Sequence, residues 1–576
     1  MCYNLSIILA CPGCTHYDLF ISTNPGLSSS GVFSQDITAR YPGLDKSVQP
    51  VINIDQFDYL LRYYGYNSER INYLVNGLRH GFDIGFSKQI TNTFAPNSNA
   101  VHRRSHILKD LIDKELAHGR FLGPFSSPPF NQMHVNPLNF VPKKTPNTFR
   151  LIDDLSLPKG SSTNEGIPRS RCTVSYPTIQ NLVDALLHFV KSGYDPHLFK
   201  MDMKSAFRII PMSPRCFPLL VVEFQGFFYI DAFLPMGCAA SCRIFQEFSE
   251  AVAFLTRMYS GVPFLLNYLD DHIGLVLSDL HGFSQYEATR TLWRLLGIPW
   301  SIDKDEPPAR CVMGLGIDID ITKRELRLPQ EKIDKGLKAI AKVLARPCIS
   351  LKQIQKLHGY LNYCASIISV GRAFLKPLSH LMRGCHTFPI TVPPYILADL
   401  RVWETFLRHF NGKVMMQSSL WDEESALCLE TDSSGSWGCG AMFLQEYFSV
   451  KWPTGLPVTN LARLELYPIV LAMEVWVERM ANQRVLIFCD NEATVHILRK
   501  LKAEDPLTHG LVRHFALCCL RRNIIFRAKH VPGVMNKGPD ALSRGQLHKF
   551  HAMFPHMQPV KTLFPDFLSP ESVLMP

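Results

Sequence analysis

The chain has 576 residues, 46% of them hydrophobic and 19% charged, which suits about three to five globular domains with sizeable cores. A formal net charge of +10 and a pI near 8.8 favour a polyanionic partner over an acidic, repelling surface. Sixteen scattered cysteines fit a reducing intracellular compartment (cytoplasm or nucleus) better than secretion, and the lack of any run of 18 apolar residues argues against a membrane span.

In chain order, residues 5–10 are apolar, but too short and without a preceding basic residue to read as a signal peptide. Cys11-Pro12-Gly13-Cys14 has no second pair to complete a metal site, so free loop thiols are the better reading. Residues 1–50 are loop-like, rich in Ser, Gly, Pro and Asn. Phe57, Leu60 and Leu61, then Ile71, Leu74 and Leu78, predict amphipathic helices ending at His80-Gly81. A helix from 101 (Ile107, Leu111, Leu116) leads through the Pro-rich stretch 123–137 into a mixed α/β pattern over 138–325. Helical period returns at 329–384: Ile333, Leu337, Ile340 and Leu344 share one face. Ser350 with Gln353 predicts a capping box before Ile354, Leu357 and Leu361. A second α/β pattern runs from 426 to about 545, and the tail 546–576 is Pro-rich without periodicity.

The tetrapeptide Tyr268-Leu269-Asp270-Asp271 falls at the tip of an expected hairpin between the apolar runs 263–266 and 273–277. Adjacent carboxylates resist joint ionisation unless a cation neutralises them. Upstream, Phe199-Lys200-Met201-Asp202 is a short strand that ends on an acid. If it pairs beside the hairpin, Asp202 meets Asp270 and Asp271, and three carboxylates can hold two Mg²⁺ ions for phosphoryl transfer. Taken singly, Asp202 reads equally well as a helix N-cap and Asp270-Asp271 as a turn.

The ordered set of blocks resembles the reverse transcriptase family over about 101–385. Asn139-Phe140-Val141-Pro142-Lys143-Lys144 through Arg150-Leu151-Ile152-Asp153 is similar to the fingers hairpin, and residues 202–207 to the first catalytic block. Leu234-Pro235-Met236-Gly237 is similar to the substrate-side turn and residues 268–271 to the metal-binding hairpin. Residues 297–304 and 315–318 are similar to the two smaller blocks that follow. The resemblance implies that Asp202, Asp270 and Asp271 bind metal with help from the Met203 carbonyl. Lys144 and Arg150 would clamp the incoming triphosphate, a point charge and a planar fork respectively. Phe207 would stack under the sugar and reject a 2′-hydroxyl, though a Phe is more often a core residue. Lys304 would protonate departing pyrophosphate. Met236 stands where relatives often carry Gln or an aromatic, and Gly314 where an aromatic is usual.

A second acidic series follows. Asp432 lies in a strand before several glycines, and Glu465 precedes Leu466-Tyr467-Pro468. Proline is tolerated in a helix's first turn, so a helix is expected to start near Glu465 and bury Ile469, Met473, Trp476 and Met480. Asp490 closes the strand 485–489, and Asp540 opens a short final helix after Asn536. Singly, Glu465 and Asp540 read as first-turn acids favoured by the helix dipole. The order Asp432, Glu465, Asp490, Asp540 resembles ribonuclease H over about 420–545. His530 lies within a strand and receives no proton-transfer role.

Together the resemblances imply an α/β and α+β multidomain fold, a right-hand polymerase followed by a ribonuclease H-like α/β domain. The expected divisions are a partly helical extension (1–100), fingers and palm (101–325), helical thumb and connection (326–415), the nuclease-like domain (416–545) and a tail (546–576). They imply an RNA-directed DNA polymerase of a retroelement that also hydrolyses the RNA of the hybrid, with two Mg²⁺ or Mn²⁺ ions per site. Partners would be RNA template, DNA primer, RNA–DNA hybrid and deoxynucleoside triphosphates, without a membrane; a retroelement recombinase or gag-like protein is a further candidate. Lys and Arg at 324–356 and Arg521, Arg522, Arg527 and Lys529 are candidate phosphate contacts. Residues 77–86 and 464–470 most resemble the DIRS and Ngaro tyrosine-recombinase retrotransposons. The alternative is an inactive or domesticated copy that holds nucleic acid without chemistry.

Overall fold

The computed structural model describes residues 48–143, 146–277, 279–346, 348–384, 389–409, 413–416, 426–455, 460–560, 565–569 and 574. Cys11, Cys14 and Lys144 lie outside the described residues. Contacts divide the chain into two compact units: Met1–Pro177 with Lys200–Gly274 and Leu280–Asp305, and Thr178–Phe199 with Leu275–Asp279 and Glu306–Pro576. Both units mix helices with sheets, so the class is mixed α/β and α+β, as expected.

In the first unit, α1 (Ile54–Tyr63) and α2 (Ser68–His80) bury the apolar faces that their spacing predicts. Asn53 and Asn67 cap them, accepting from the backbone N–H of Gln56 and Arg70. Helix α3 (Ser105–Ala117) is turned from the expected face: Leu108 and Ile112 are buried, while Ile107, Leu111 and Leu116 are half-buried. Both stripes have helical spacing, and the cluster of Phe121, Leu138, Val222, Phe224 and Tyr229 selects the one that packs. Strands β1 (Phe121–Phe125) and β2 (His134–Asn136) precede the antiparallel hairpin of β3 (Leu138–Pro142) and β4 (Phe149–Asp153), paired from Leu138↔Asp153 to Pro142↔Phe149. Along the chain follow β5 (His197–Asp202) and β9 (Asp271–Val276), each with residues in both units, together with β6 (Val221–Phe224), β7 (Phe227–Asp231), α4 (Ser241–Ser260), β8 (Phe264–Tyr268) and α5 (Asp279–Leu295). Thr93–Phe94, β2, β6, β7 and β1 form one sheet in that order, and β5, β9 and β8 are consecutive neighbours in another. The second arrangement brings the end of β5 to the tip of the β8–β9 hairpin.

In the C-terminal part of the second unit, β10 (Cys311–Gly314) and β11 (Ile317–Asp320) are joined by Leu315-Gly316 at φ 51° and 75°. These two positive-φ residues make the tight return that twisted strands favour. Strand β12 (Glu325–Arg327) follows, then α6 (Gln330–Ala345) and α7 (Leu351–Cys364). On α6 the buried residues are Ile333, Gly336, Ile340 and Val343, whereas Leu337 and Leu344 are half-buried. Gly336 explains the rotation, because a Cβ there would stand 2.9 Å from Leu407 and 3.2 Å from Tyr360, which pack against it. The Ser350–Gln353 capping box forms as its pattern predicts.

Helices at Lys376–Gly384 and Pro394–His409 follow, and the chain then builds a six-stranded sheet. Strands β13 (Leu427–Ser433), β14 (Gly438–Phe443) and β15 (Glu446–Lys451) run antiparallel by short returns. Helix α8 (Leu461–Val475) crosses to β16 (Arg484–Cys489), which lies parallel to β13. Helices α9 (Glu492–Lys500) and α10 (Pro506–Arg521) lead to β17 (Ile525–His530), parallel to β16. Helix α11 (Lys537–Ser543) then closes over the β13–β15 side. The order is β17-β16-β13-β14-β15-β18, the last strand being Gln558–Pro559. The segment after 545 carries structure that its lack of periodicity does not show. Helix α12 (Leu547–Met553) buries Phe550 against Met442, Tyr447 and Leu542, and β18 extends the sheet. A seven-residue helix is too short for periodicity to reveal.

Helix α8 also departs from expectation. It begins at Leu461, capped by Asn460, so Pro468 sits well inside it and not in its first turn. Interior proline leaves the carbonyl four residues earlier without its N–H partner and pushes it aside. That carbonyl belongs to Leu464, and it accepts a 2.6 Å hydrogen bond from Ser433 Oγ. The proline is tolerated because a strand side chain supplies the missing donor.

Candidate active sites

The first site is built where β5 ends and the β8–β9 hairpin turns. The Met203 N–H donates to the Asp270 carbonyl at 2.9 Å, and the Ser301 N–H donates to the Asp202 carbonyl at 2.9 Å. Asp202, Asp270 and Asp271 are thereby close, with Asp202 buried. Leu269 holds φ 51° at the tip, strained for a residue with a Cβ. Helix α4 pins it on both sides: Leu269 N–H donates to Gln246 Oε1 at 3.0 Å, and Ser249 Oγ donates to the Leu269 carbonyl at 2.6 Å. His272, also buried, is held neutral, with burial pushing its pKa down to about 4.

Burial raises the Asp270 pKa, and the neighbouring Asp202 and Asp271 charges add to the rise. Lysines occupy the other acids: Lys304 Nζ lies 2.9 Å from Asp202 Oδ1, and Lys200 Nζ 3.3 Å from Asp271 Oδ1. Ser301 Oγ also donates to Asp202 Oδ1 at 3.0 Å, a contact the sequence reading did not single out. Burial disfavours the charge on Lys304, but its hydrogen bond to Asp202 and the three acids outweigh that and raise its pKa. Hard oxygen donors crowded at one point suit a hard divalent cation.

Arg150 stands on β4, exposed, opposite Val141. It makes no described contact with the acids. Lys143, which the sequence reading did not select, has its pKa lowered by burial and then by the charges of Arg150, Lys114 and Lys304. At the hairpin's base, Gly237 allows a close approach: a Cβ there would fall 1.6 Å from the Asp153 carbonyl oxygen. Met236 beside it is half-buried. Phe207 is half-buried, its ring edge-on to Phe245 at 5.3 Å. The next residue, Arg208, anchors that turn through Asp231 at 2.7 Å and Glu115 at 2.9 Å. Asp153 lies in the same buried network, its pKa raised by burial and then by Asp231.

The second site lies where β13 and β16 run parallel while β14 returns antiparallel on the other side. The carboxyl end of a strand at such a reversal opens a crevice. Asp432 is near the end of β13, and Asp490 directly follows β16. Helix α8 brings Glu465, so that Glu465, Cys489 and Asp490 present ligand atoms within 4.8 Å of one another. Helix α11 brings Asp540, whose Oδ1 accepts from Arg544 Nε at 2.7 Å. Ser543 Oγ donates to Asp432 Oδ2 at 2.5 Å. Burial, with Asp432 and Asp490 adding, pushes Glu465 up to about 9. Burial raises Asp432 to about 6; Asp490 and Asp540 reinforce it while the Ser543 bond opposes it. This acid set is under-neutralised, and hard divalent ions fit its donors. His530 Nε2 donates to the Asp490 backbone carbonyl at 3.0 Å, a structural contact. Asn536, fully buried, donates to the Thr431 carbonyl at 3.0 Å and so ties the loop before Asp540 to β13.

No family model matches the chain. Over 180 residues it is 24% identical to Protein P of Heron hepatitis B virus, covering 31% of this chain and 22% of that protein. The chain thus spans about a fifth of the length of that curated relative. Among solved structures it is similar to a foamy viral protease-reverse transcriptase dRH in complex with double-stranded DNA. That match has 15% identity and a TM-score of 0.44, and covers 84% of this chain and 82% of that one. It is also similar to a foamy viral protease-reverse transcriptase in complex with RNA/DNA hybrid, at 15% identity and a TM-score of 0.43, covering 82% of this chain and 62% of that one. The comparisons are therefore with reverse transcriptase-like proteins. No helix among the described residues is long and apolar enough to cross a membrane.

Proposed function

We propose that this chain is an RNA-directed DNA polymerase of a retroelement, joined to a nuclease that hydrolyses the RNA strand of the product hybrid. The observation that carries the reading is the pair of acidic clusters, each gathered from distant sequence positions, the first onto strand ends and the second onto two strand ends and two helices. Two Mg²⁺ or Mn²⁺ ions per cluster would activate the attacking oxygen and neutralise the leaving one. Asp202, Asp270 and Asp271, with the Met203 carbonyl, hold the first pair; Asp432, Glu465, Asp490 and Asp540 hold the second.

Around the first cluster, Arg150, with Lys144 and Lys143, grips the triphosphate of a deoxynucleotide. Phe207 lies beneath its sugar, and Met236 and Gly237 form the floor beside it. Lys304, already on Asp202, passes a proton to the departing pyrophosphate. Fingers and palm are assigned to 101–325, thumb and connection to 326–415, and the nuclease to the sheet domain that follows. RNA template and DNA primer are the macromolecular substrates, and the DIRS and Ngaro retrotransposons are the kin favoured by residues 77–86 and 464–470. Manganese- or magnesium-dependent extension of a DNA primer on RNA, compared with a DNA template at equal concentration, tests this. Extension on DNA alone would contradict it. Phe207→Ala is expected to raise ribonucleotide incorporation roughly tenfold or more; an unchanged sugar preference removes Phe207 from that role.

One observation favours a second reading. Lys304 pairs with Asp202 and Lys200 with Asp271, an arrangement also open to a copy that only holds nucleic acid. Hybrid binding with no extension in either metal supports that reading.

A further inference from the structure

The interior proline of α8 leaves a question of geometry. Glu465 must be held within reach of Asp432, yet the two sit on different elements, α8 and β13. Ser433, the residue after Asp432, touches the helix at the residue before Glu465: its Oγ donates to the Leu464 carbonyl at 2.6 Å. That carbonyl is available only because Pro468, four residues on, has no N–H to offer it. The backbone N–H of Ser433 also faces the Glu465 carboxyl and favours its ionised form.

Leu464, Glu465 and Pro468 are all buried, so water cannot replace the donor. Neighbouring Ser434 is engaged elsewhere, donating to the Ser543 carbonyl at 2.7 Å. The strand that carries the first acid is therefore tied through adjacent residues to the turn of α8 that carries the second and to the helix that carries the fourth.

We propose that Ser433 is a positioning residue whose hydroxyl, docked on the carbonyl freed by Pro468, sets the spacing of Asp432 and Glu465 for divalent-ion binding. The inference rests on the nuclease reading of this site, but its test does not depend on cleavage. A purely structural donor would matter only because an orphaned buried carbonyl is costly, and restoring any donor would then repair everything. A positioning residue makes a different demand, since the donor must come from β13.

The two are separated by a cycle of Ser433→Ala, Pro468→Ala and the double variant in the full chain. Thermal melting and Mn²⁺ affinity by calorimetry are measured for each, with an Asp270→Asn background to silence the first site. Ser433→Ala is expected to lower the melting midpoint and weaken Mn²⁺ binding roughly tenfold, as loss of a ligand-orienting partner does. In the double variant the Pro468→Ala change returns a backbone N–H to the Leu464 carbonyl. The melting midpoint then recovers relative to Ser433→Ala while Mn²⁺ binding stays weak. Recovery of both, additive effects on melting, or unchanged Mn²⁺ affinity in Ser433→Ala would each overturn the proposal. Hybrid cleavage is assayed in parallel. A wild-type protein that binds Mn²⁺ at this site but never cleaves would count against the nuclease reading alone.

Discussion

Asp270 and Glu465 express the same physics in two places. Each is a carboxyl whose burial and acidic neighbours oppose its charge, and which a divalent ion would relieve. For the first, Asp270→Asn is expected to reduce primer extension by on the order of a thousandfold or more, with nucleic-acid binding retained. Extension kinetics alongside a binding isotherm check this, and parallel loss of binding would point to misfolding instead. For the second, the sign of the pH effect follows from the direction of the shift. A folded pKa near 9 against 4.5 unfolded means that the folded protein holds an extra proton between those values. The stability this gives is complete below about 4.5 and is lost as pH rises towards 9. Metal-free protein should therefore melt progressively lower across that window, and Glu465→Gln should raise its stability at pH 8 by about 2 kcal/mol. Melting in chelator between pH 5 and 9 tests it; a wild-type profile no steeper than the variant's would show that Glu465 is not crowded by Asp432 and Asp490.

At the scale of elements, Gly237 carries the sharpest structural demand in the first unit. Its missing Cβ lets the turn lie against the Asp153 carbonyl at the foot of the β3–β4 hairpin. Gly237→Ala should cost at least about 3 kcal/mol, since a backbone atom cannot step aside; melting like the wild type would show that the approach is looser. The elements legible in the sequence were those whose signal is local. Apolar spacing gave α1 and α2, the Ser350–Gln353 pattern gave the capping box, and two apolar runs flanking Tyr268–Asp271 gave the β8–β9 hairpin. Tertiary contact decided what spacing left open. The buried stripe of α3 depends on Phe121 and Leu138, and that of α6 on what Gly336 admits. Pro468 misled for the same reason: its position looked like a helix start until Ser433, far back in the chain on β13, supplied the donor. Of the polar groups around the acids, Ser301, Ser433 and Ser543 gave no sign, because a serine near an acid in the chain has no distinctive pattern.

For the whole molecule, the reading assigns two chemistries to two sets of acids, and they should fail separately. Asp490→Asn should abolish hybrid cleavage and leave primer extension near the wild-type rate, while Asp270→Asn should do the reverse. A net charge of +10 should make binding of either nucleic acid fall steeply with salt, as counterion release requires. The most direct measurement is extension of a DNA primer on an RNA template in Mg²⁺ or Mn²⁺, run with the wild-type chain and Asp270→Asn side by side. The account predicts full-length product from the wild type and none from the variant. Product from both, or from neither while both bind the hybrid, would contradict it.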